Sequence, residues 1–271
     1  MQFSVLMSIY LGTEAKELDS CLESLADQSL KPDQIVLVRD GPVDTSVEET
    51  IDKHLQKLPI HSISFPQNRG LGLALRDGLL ACDHEIVARV DSDDWSVPER
   101  FENQIDYLKN YPSTSVVGGW LREYYESSVG RIGVVRETPS HHNSIERIAR
   151  RRNPINHPTV MFKKSHVLAA GNYADCLLFE DYFLWARMLM SGFILANLPS
   201  VLVETKVDKL YFVRRGGIGY VKKELVFVQK LKTIGFLSTL DTIFFIASRL
   251  LLRVSPLRVR QMFYKGFLRK S

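Results

Sequence analysis

A chain of 271 residues, 45% of them hydrophobic, can bury a full core as one large domain or as one domain with an appendage. Cys21, Cys82 and Cys176 are odd in number and form no CxxC pair, which argues against a disulfide framework or a zinc site and points to a reducing compartment. The net charge of +4 conceals an asymmetry: from Thr205 onward there are 15 lysines and arginines against three acids, a net of +12 that leaves −8 on residues 1–204.

An acidic body and a basic tail are expected to face different partners. Met1-Gln-Phe-Ser-Val lacks a basic leader and reads directly as a strand, so no signal peptide is expected. No uncharged apolar run reaches the roughly 18 residues of a spanning helix.

In chain order, Phe3–Tyr10 is an apolar run suited to a strand covered on both faces. Leu18, Cys21, Leu22, Leu25 and Ala26 recur at helical spacing within 14–28. Gln34–Val38 reads as a second strand and ends in the turn Arg39-Asp40-Gly41-Pro42. A helix over 47–58, a strand over 61–65, a turn at Asn68–Gly72 and a helix over 73–81 follow, and then the strand Glu85–Val90. This alternation predicts βαβ units and a mainly parallel sheet. Gly70 and Gly72 have no third glycine at the required spacing, and no GKS or GKT loop is present, so dinucleotide redox and ATPase chemistry rank low.

Three carboxylates, Asp91, Asp93 and Asp94, follow the fourth strand at once. In an open α/β sheet ligands bind in the crevice outside the carboxyl edge of the strands. Like charges so close together need a cation or surrounding hydrogen bonds, and aspartates two apart suit a hard divalent ion that grips phosphates. The local alternative is helix capping: Ser96-Val-Pro98-Glu99 resembles a capping box opening a helix over 100–111, and acids near that start favour its dipole.

After Pro112 the pattern changes. Strands over 114–125 and 129–137 are expected to form a hairpin, followed by a helix over 141–152, a loop at 153–158 and a strand over 159–163. His157 reads as a hydrogen-bonded loop histidine. Glu180 and Asp181 open an apolar helix that reaches Met190; capping alone could account for acids there.

Taken together, these elements resemble a family 2 glycosyltransferase of the GT-A fold, of the bacterial polysaccharide-assembly kind (O-antigen, capsule or exopolysaccharide). The motifs that carry the resemblance are Ser8-Ile9-Tyr10, Cys21-Leu-Glu-Ser-Leu-Ala-Asp-Gln28, Ile35–Gly41, Asn68–Gly70, Arg76, Asp91-Ser92-Asp93 and Glu180-Asp181 with Trp185 and Arg187. It covers residues 3–205. Two departures are Ser8, where the family usually has proline, and Arg39 with Pro42 around Asp40-Gly41, which leaves the donor or its binding mode open.

The resemblance implies an α/β catalytic domain over 1–205, with a nucleotide-binding half (1–110) and an acceptor-binding half (111–205). Beyond it lies a helical basic extension, 206–271. It implies an inverting, metal-dependent transfer of a hexose from a nucleotide sugar, expected to be UDP-linked, to a polyprenyl-diphosphate-linked glycan. Asp93 would hold Mn²⁺ or Mg²⁺, with Asp91 toward the ribose or metal waters and Asp94 in support; the ion neutralises the departing diphosphate. Tyr10 would stack on the base, Asp40 accept from its N–H, and Arg76 pair with a phosphate or an acid. Asp181 would be the general base, with Glu180 as second candidate or acceptor-positioning group. The competing expectation is a catalytically silent sugar-nucleotide-binding scaffold; a nucleotidyltransferase ranks lower for want of a Gly-rich phosphate loop.

In the tail, Phe236–Ala247 is apolar but short. From Arg249 on, Arg253, Arg258, Arg260, Lys265, Arg269 and Lys270 are interleaved with apolar residues and no acid. That composition suits a helix in the interface of an anionic bilayer, placing the protein peripherally on the inner face of the cytoplasmic membrane. The alternative is a helix docked on the catalytic domain. Nucleic acid is not an expected partner, since no nucleic-acid module accompanies the basic stretch.

Overall fold

The computed structural model of the chain describes residues 1–127, 130–207 and 217–254. Its first half follows the expected alternation: β1 (Phe3–Ile9), α1 (Ala15–Ala26), β2 (Gln34–Asp40), α2 (Thr45–His54), β3 (Ile60–Phe65), α3 (Leu71–Leu80) and β4 (Ile86–Asp91). All three pairings among these strands are parallel. In β1, Phe3, Val5, Met7 and Ile9 pack to one face with α1 and α2, while Leu6 packs to the other with α3. This is the two-residue strand period read out as two cores.

The register brings the strand ends level. Ser8 lies opposite Asp91, Ile9 opposite Arg39, and Asp40 opposite Phe65. Tyr10, Asp40 and Asp91 therefore share the carboxyl edge of one sheet.

The second half adds β5 (Asp94–Ser96), α4 (Arg100–Asn110), β6 (Thr114–Ser127), β7 (Gly130–Arg136), α5 (His142–Ala149), a 3₁₀ turn (His157–Thr159), β8 (Met161–Lys163), α6 (Lys164–Ala169), α7 (Glu180–Met190) and β9 (Ile194–Val207). The sheet runs β3-β2-β1-β4-β8-β6-β9-β5, with β7 paired to β6. β6 and β7 form the expected hairpin; its turn at 128–129 lies outside the described residues.

The capping box expected at Ser96–Glu99 does not form. Ser96 belongs to β5, which pairs antiparallel with β9, and the Glu99 side chain makes no capping bond. The start of α4 is held from a distance: the Gln28 carboxamide accepts the Phe101 N–H at 3.3 Å and donates to the Val97 carbonyl at 2.7 Å. The last residue of the CLxSLxxQ motif thus ties α1 to the acidic segment.

In the tail, α8 (Ile218–Thr233) and α9 (Thr239–Val254) form a helical hairpin. Phe227, Val228, Leu231 and Phe245 join Phe179, Tyr182 and Ala186 of the α7 region in a shared apolar cluster, with Phe179 and Phe227 stacked at 4.5 Å. The described part of the tail therefore docks on the body.

The orientation of α9 corrects one expectation. Asp241 faces Arg150 and Arg151 at 3.9 and 3.5 Å, while Arg249 and Arg253 reach the buried Glu224 of α8 at 3.6 and 3.1 Å. Leu240 and Ile243 are 80% and 60% exposed, Phe244 is 55% exposed, and Ala247 and Leu250 continue that outward stripe. The helix turns its charges inward and its apolar face outward, so these two arginines are committed to protein and not free for lipid. Arg214, Arg215 and the cations from Arg258 onward lie outside the described residues.

Candidate active site

The acidic segment rises from β4 at the sheet edge. Arg89 and Asp91, two residues apart on a strand, point to the same face, and they form a two-point ion pair. Arg89 is buried, and its main-chain carbonyl accepts from the equally buried Arg100 at 2.7 Å. Asp93 stands open to the crevice, yet the protein around it and then the Asp91 charge push its carboxyl up to about 6. Asp94 is buried and held well above the usual range by lost hydration, then by Asp91 and Asp93; a hydrogen bond from Thr205 of β9 opposes this.

Oxygen atoms of Asp91, Asp93 and Asp94 all lie within 4.8 Å of one another. Three crowded carboxylates, two of them with raised pKa, form a hard-oxygen donor set that a divalent ion would relieve, so the residues fit the implied Mn²⁺ or Mg²⁺. Asp19, Glu23 and His54 meet the same spacing, but Lys53 and Lys57 already sit at 2.6 Å from Asp19 and 3.2 Å from Glu23. That group is an ion-pair cluster.

The second acid pair is delivered by the N-terminus of α7. Asp181 accepts a 2.6 Å hydrogen bond from Asn153. Burial raises its carboxyl, opposed by Asn153, by the Tyr182 amide and by the charge of Arg89. Among the described residues Glu180 has no such partner side chain, and it is pushed up to about 7, by burial first and by Asp181 next. The field of Arg89 reaches all four perturbed acids, Asp93, Asp94, Glu180 and Asp181, and Asp91 is near enough to raise Glu180. The two acid groups thus lie within one another's electrostatic reach and share a buried cation.

Gly72 allows this approach. A Cβ there would come within 2.7 Å of the Ala174 carbonyl and 3.2 Å of the Glu180 Cβ, so α3 can abut the segment carrying the acid pair only without a side chain.

The other expected residues lie along the edge in different states. Tyr10 is half exposed, with its ring over Gly12. Asp40 is 2% exposed, and its two oxygens accept the N–H groups of Arg69 and Gly70, both at 2.9 Å. Arg76 pairs with Asp77 at 2.7 Å. Arg39, the departure that left the donor mode open, is bound to Glu48 of α2 at 2.7 Å. His157 is hydrogen bonded as expected, to the Tyr173 hydroxyl at 2.9 Å, and burial lowers its pKa well below the usual value. Sequence reasoning missed Arg89, Asn153, Thr205 and the contact role of Gly72.

A Rossmann-like parallel half, a mixed extension in which β6 and β9 run parallel, and an acid cluster at the switch between them match the GT-A fold. The family model for glycosyl transferase family 2 matches residues 4–166. The chain belongs to that family. It is 38% identical over 266 residues to the amylovoran biosynthesis glycosyltransferase AmsE of Erwinia amylovora, covering 97% of this chain and 98% of that one. It is 34% identical over 269 residues to the UDP-Gal:alpha-D-GlcNAc-diphosphoundecaprenol beta-1,3-galactosyltransferase of Escherichia coli, covering 99% and 97%. Among solved structures, S. aureus TarS 1–349 in complex with UDP-GlcNAc superposes with a TM-score of 0.67 at 18% identity, over 99% of this chain and 77% of that one. The mannosyltransferase PcManGT from Pyrobaculum calidifontis, in complex with GDP-Man and Mn²⁺, gives 0.65 at 15% identity over 93% and 70%. The chain is therefore a glycosyltransferase of the bacterial polysaccharide-assembly kind, which sets aside the silent-scaffold expectation.

Proposed function

We propose that this protein is an inverting, divalent-metal-dependent enzyme that moves a hexose from a UDP-sugar to a sugar on a polyprenyl diphosphate, at the inner face of the cytoplasmic membrane. The observation that carries this reading is the crevice itself: a hard-oxygen cluster on one wall, an acid pair on the other, and Arg89 between them. The activity for which the E. coli relative is named supports the UDP donor and the lipid-diphosphate acceptor, and the Mn²⁺ complex of PcManGT supports the metal.

Asp93 and Asp91 would hold the cation, which supplies charge neutralisation for the departing diphosphate. Asp94, tied to Thr205, keeps the segment in place. Asp181 is the base: Asn153 orients it, and the bonds it accepts favour its ionised form. Glu180, raised to about 7, is about half protonated near neutral pH, and in its protonated form donates to the acceptor to orient it. Burial raises both acids, and the bonds that oppose it at Asp181 come from Asn153 and the Tyr182 amide, so the two take separate roles. Arg76 lies four residues beyond Gly72, on the same helix face, and exchanges Asp77 for a donor phosphate. Tyr10 stacks on the base. Asp40 shapes the base pocket through the turn it anchors, since its oxygens already accept two amides. The outward apolar face of α9 rests in the bilayer interface. No described helix is long and apolar enough to cross a membrane.

The test is a panel of UDP- and GDP-sugars with a polyprenyl-diphosphate-linked GlcNAc, run with Mn²⁺, Mg²⁺ or EDTA. Transfer from one UDP-hexose, lost in EDTA and giving an inverted linkage, supports the reading. Undiminished transfer in EDTA, or a retained anomeric configuration, would overturn it.

A further inference from the structure

The turn before the acid pair and helix α8 enclose a cleft of about 250 Å³ that the donor side does not use. Its walls are Cys176, Leu177 and Phe179 from the turn and Lys223, Val226 and Lys230 from one face of α8. We propose that this cleft is the subsite for the diphosphate and proximal lipid of a lipid-diphosphate-linked acceptor, with Lys223 and Lys230 pairing with the phosphates. The proposal rests on the acceptor class inferred above and adds the place where that acceptor is held.

Position is the first argument. Phe179 lines the cleft and Glu180 is the next residue. The Cys176 thiol, which burial pushes up to about 11, is within electrostatic reach of Lys230 as well as of Glu180 and Asp181. A diphosphate bound here would lie beside the segment that carries the proposed base.

Composition is the second. Two lysines face one acid, Asp175, and the Asp175 main-chain carbonyl accepts from the Lys230 ammonium, holding that cation at the rim. Leu177 and Val226 are each 60% exposed beside them. Leu178 has φ = 72°, a conformation that non-glycine residues adopt at a cost and that concentrates at binding sites. Cations next to exposed apolar side chains match a phosphate head on a hydrocarbon chain better than either a free anion or an apolar peptide.

Farnesyl diphosphate binding to the full chain, measured by calorimetry in EDTA so that the acid cluster cannot capture the probe through a metal, tests this. The wild type should bind, and Lys223→Gln and Lys230→Gln should each weaken binding about tenfold, the scale of one charge-assisted hydrogen bond. Melting temperature serves as the folding control, and Val226→Asp is a second variant that should also weaken binding. No binding by the wild type, or equal binding by the lysine variants, would overturn the subsite. Inorganic pyrophosphate binding as tightly as farnesyl diphosphate would overturn its lipid half. Should the subsite hold while no lipid-linked sugar is glycosylated, the functional reading fails and the subsite stands.

Discussion

The two acid groups of the site are both made of neighbouring carboxylates, yet their partners differ. Asp91, Asp93 and Asp94 share one side of the sheet edge, and the partners of two of them are a buried arginine and a threonine. Glu180 and Asp181 sit at a helix start, where one of them has an asparagine and the other no such side chain. The first arrangement leaves surplus negative charge for a cation. The second gives one of two neighbouring acids a side-chain donor. Burial alone does not assign chemistry to a carboxylate; the neighbouring donor does.

The sharpest way to break this contrast is to remove one member of each group. Asp93→Ala should abolish Mn²⁺-dependent UDP affinity in calorimetry while leaving the melting temperature intact; unchanged affinity removes the metal role. Asp181→Asn should leave UDP affinity alone and lower turnover by about 10²–10⁴, the range of a general base.

Glu180→Gln sharpens the comparison further. Gln imitates the protonated acid, so turnover near neutral pH should fall by no more than about tenfold, well short of the loss expected for a base. A larger loss than in Asp181→Asn would reverse the assignment within the pair. The variant also carries a stability signature. A carboxyl with a folded pKa raised from 4.5 to about 7 stabilises the fold fully below 4.5, and that contribution is lost as pH rises through 7. Glu180→Gln should therefore melt higher than wild type at pH 8, with the gain gone near pH 4. Scanning calorimetry across that window checks it.

The smallest effect is expected at the hairpin. Leu240→Ser with Phe244→Ser should reduce co-sedimentation with phospholipid vesicles while leaving UDP affinity unchanged. Because Arg249 and Arg253 are occupied by Glu224, the contact of the described helix should persist in high salt, where purely electrostatic adsorption is screened. Equal partitioning of variant and wild type would mean that this face meets something other than lipid.

What could be read from the chain depended on whether the signal was local. The βαβ half was legible because short apolar runs alternate with helical spacing, and Asp91-Ser-Asp93 stood out as charge after a buried strand. β9 was missed because Asn197 and Pro199 interrupt its apolar run and its pairing with β6 shifts register twice near Trp120. Asn153 and Thr205 act across long separations on Asp181 and Asp94, which no spacing rule reveals. Arg89 was in principle visible, two residues before an aspartate on the same strand face, but its depth depends on the sheet around it. In α9 the apolar stripe was visible in the sequence; which side faced the protein was settled by Glu224, Arg150 and Arg151.

Gly72 gives the crevice its gauge. The separation between the donor wall and the acid pair is set where α3 meets the segment 174–180, and what sets it is an atom that is not there. Every other contact in the site has some freedom, since a lysine can swing and a carboxylate can rotate. Backbone against backbone has almost none. The seating of the acid pair against α3 is thus a fixed dimension of the scaffold, and a single methyl at position 72 would act as a shim, pressing on the Ala174 carbonyl and the Glu180 Cβ.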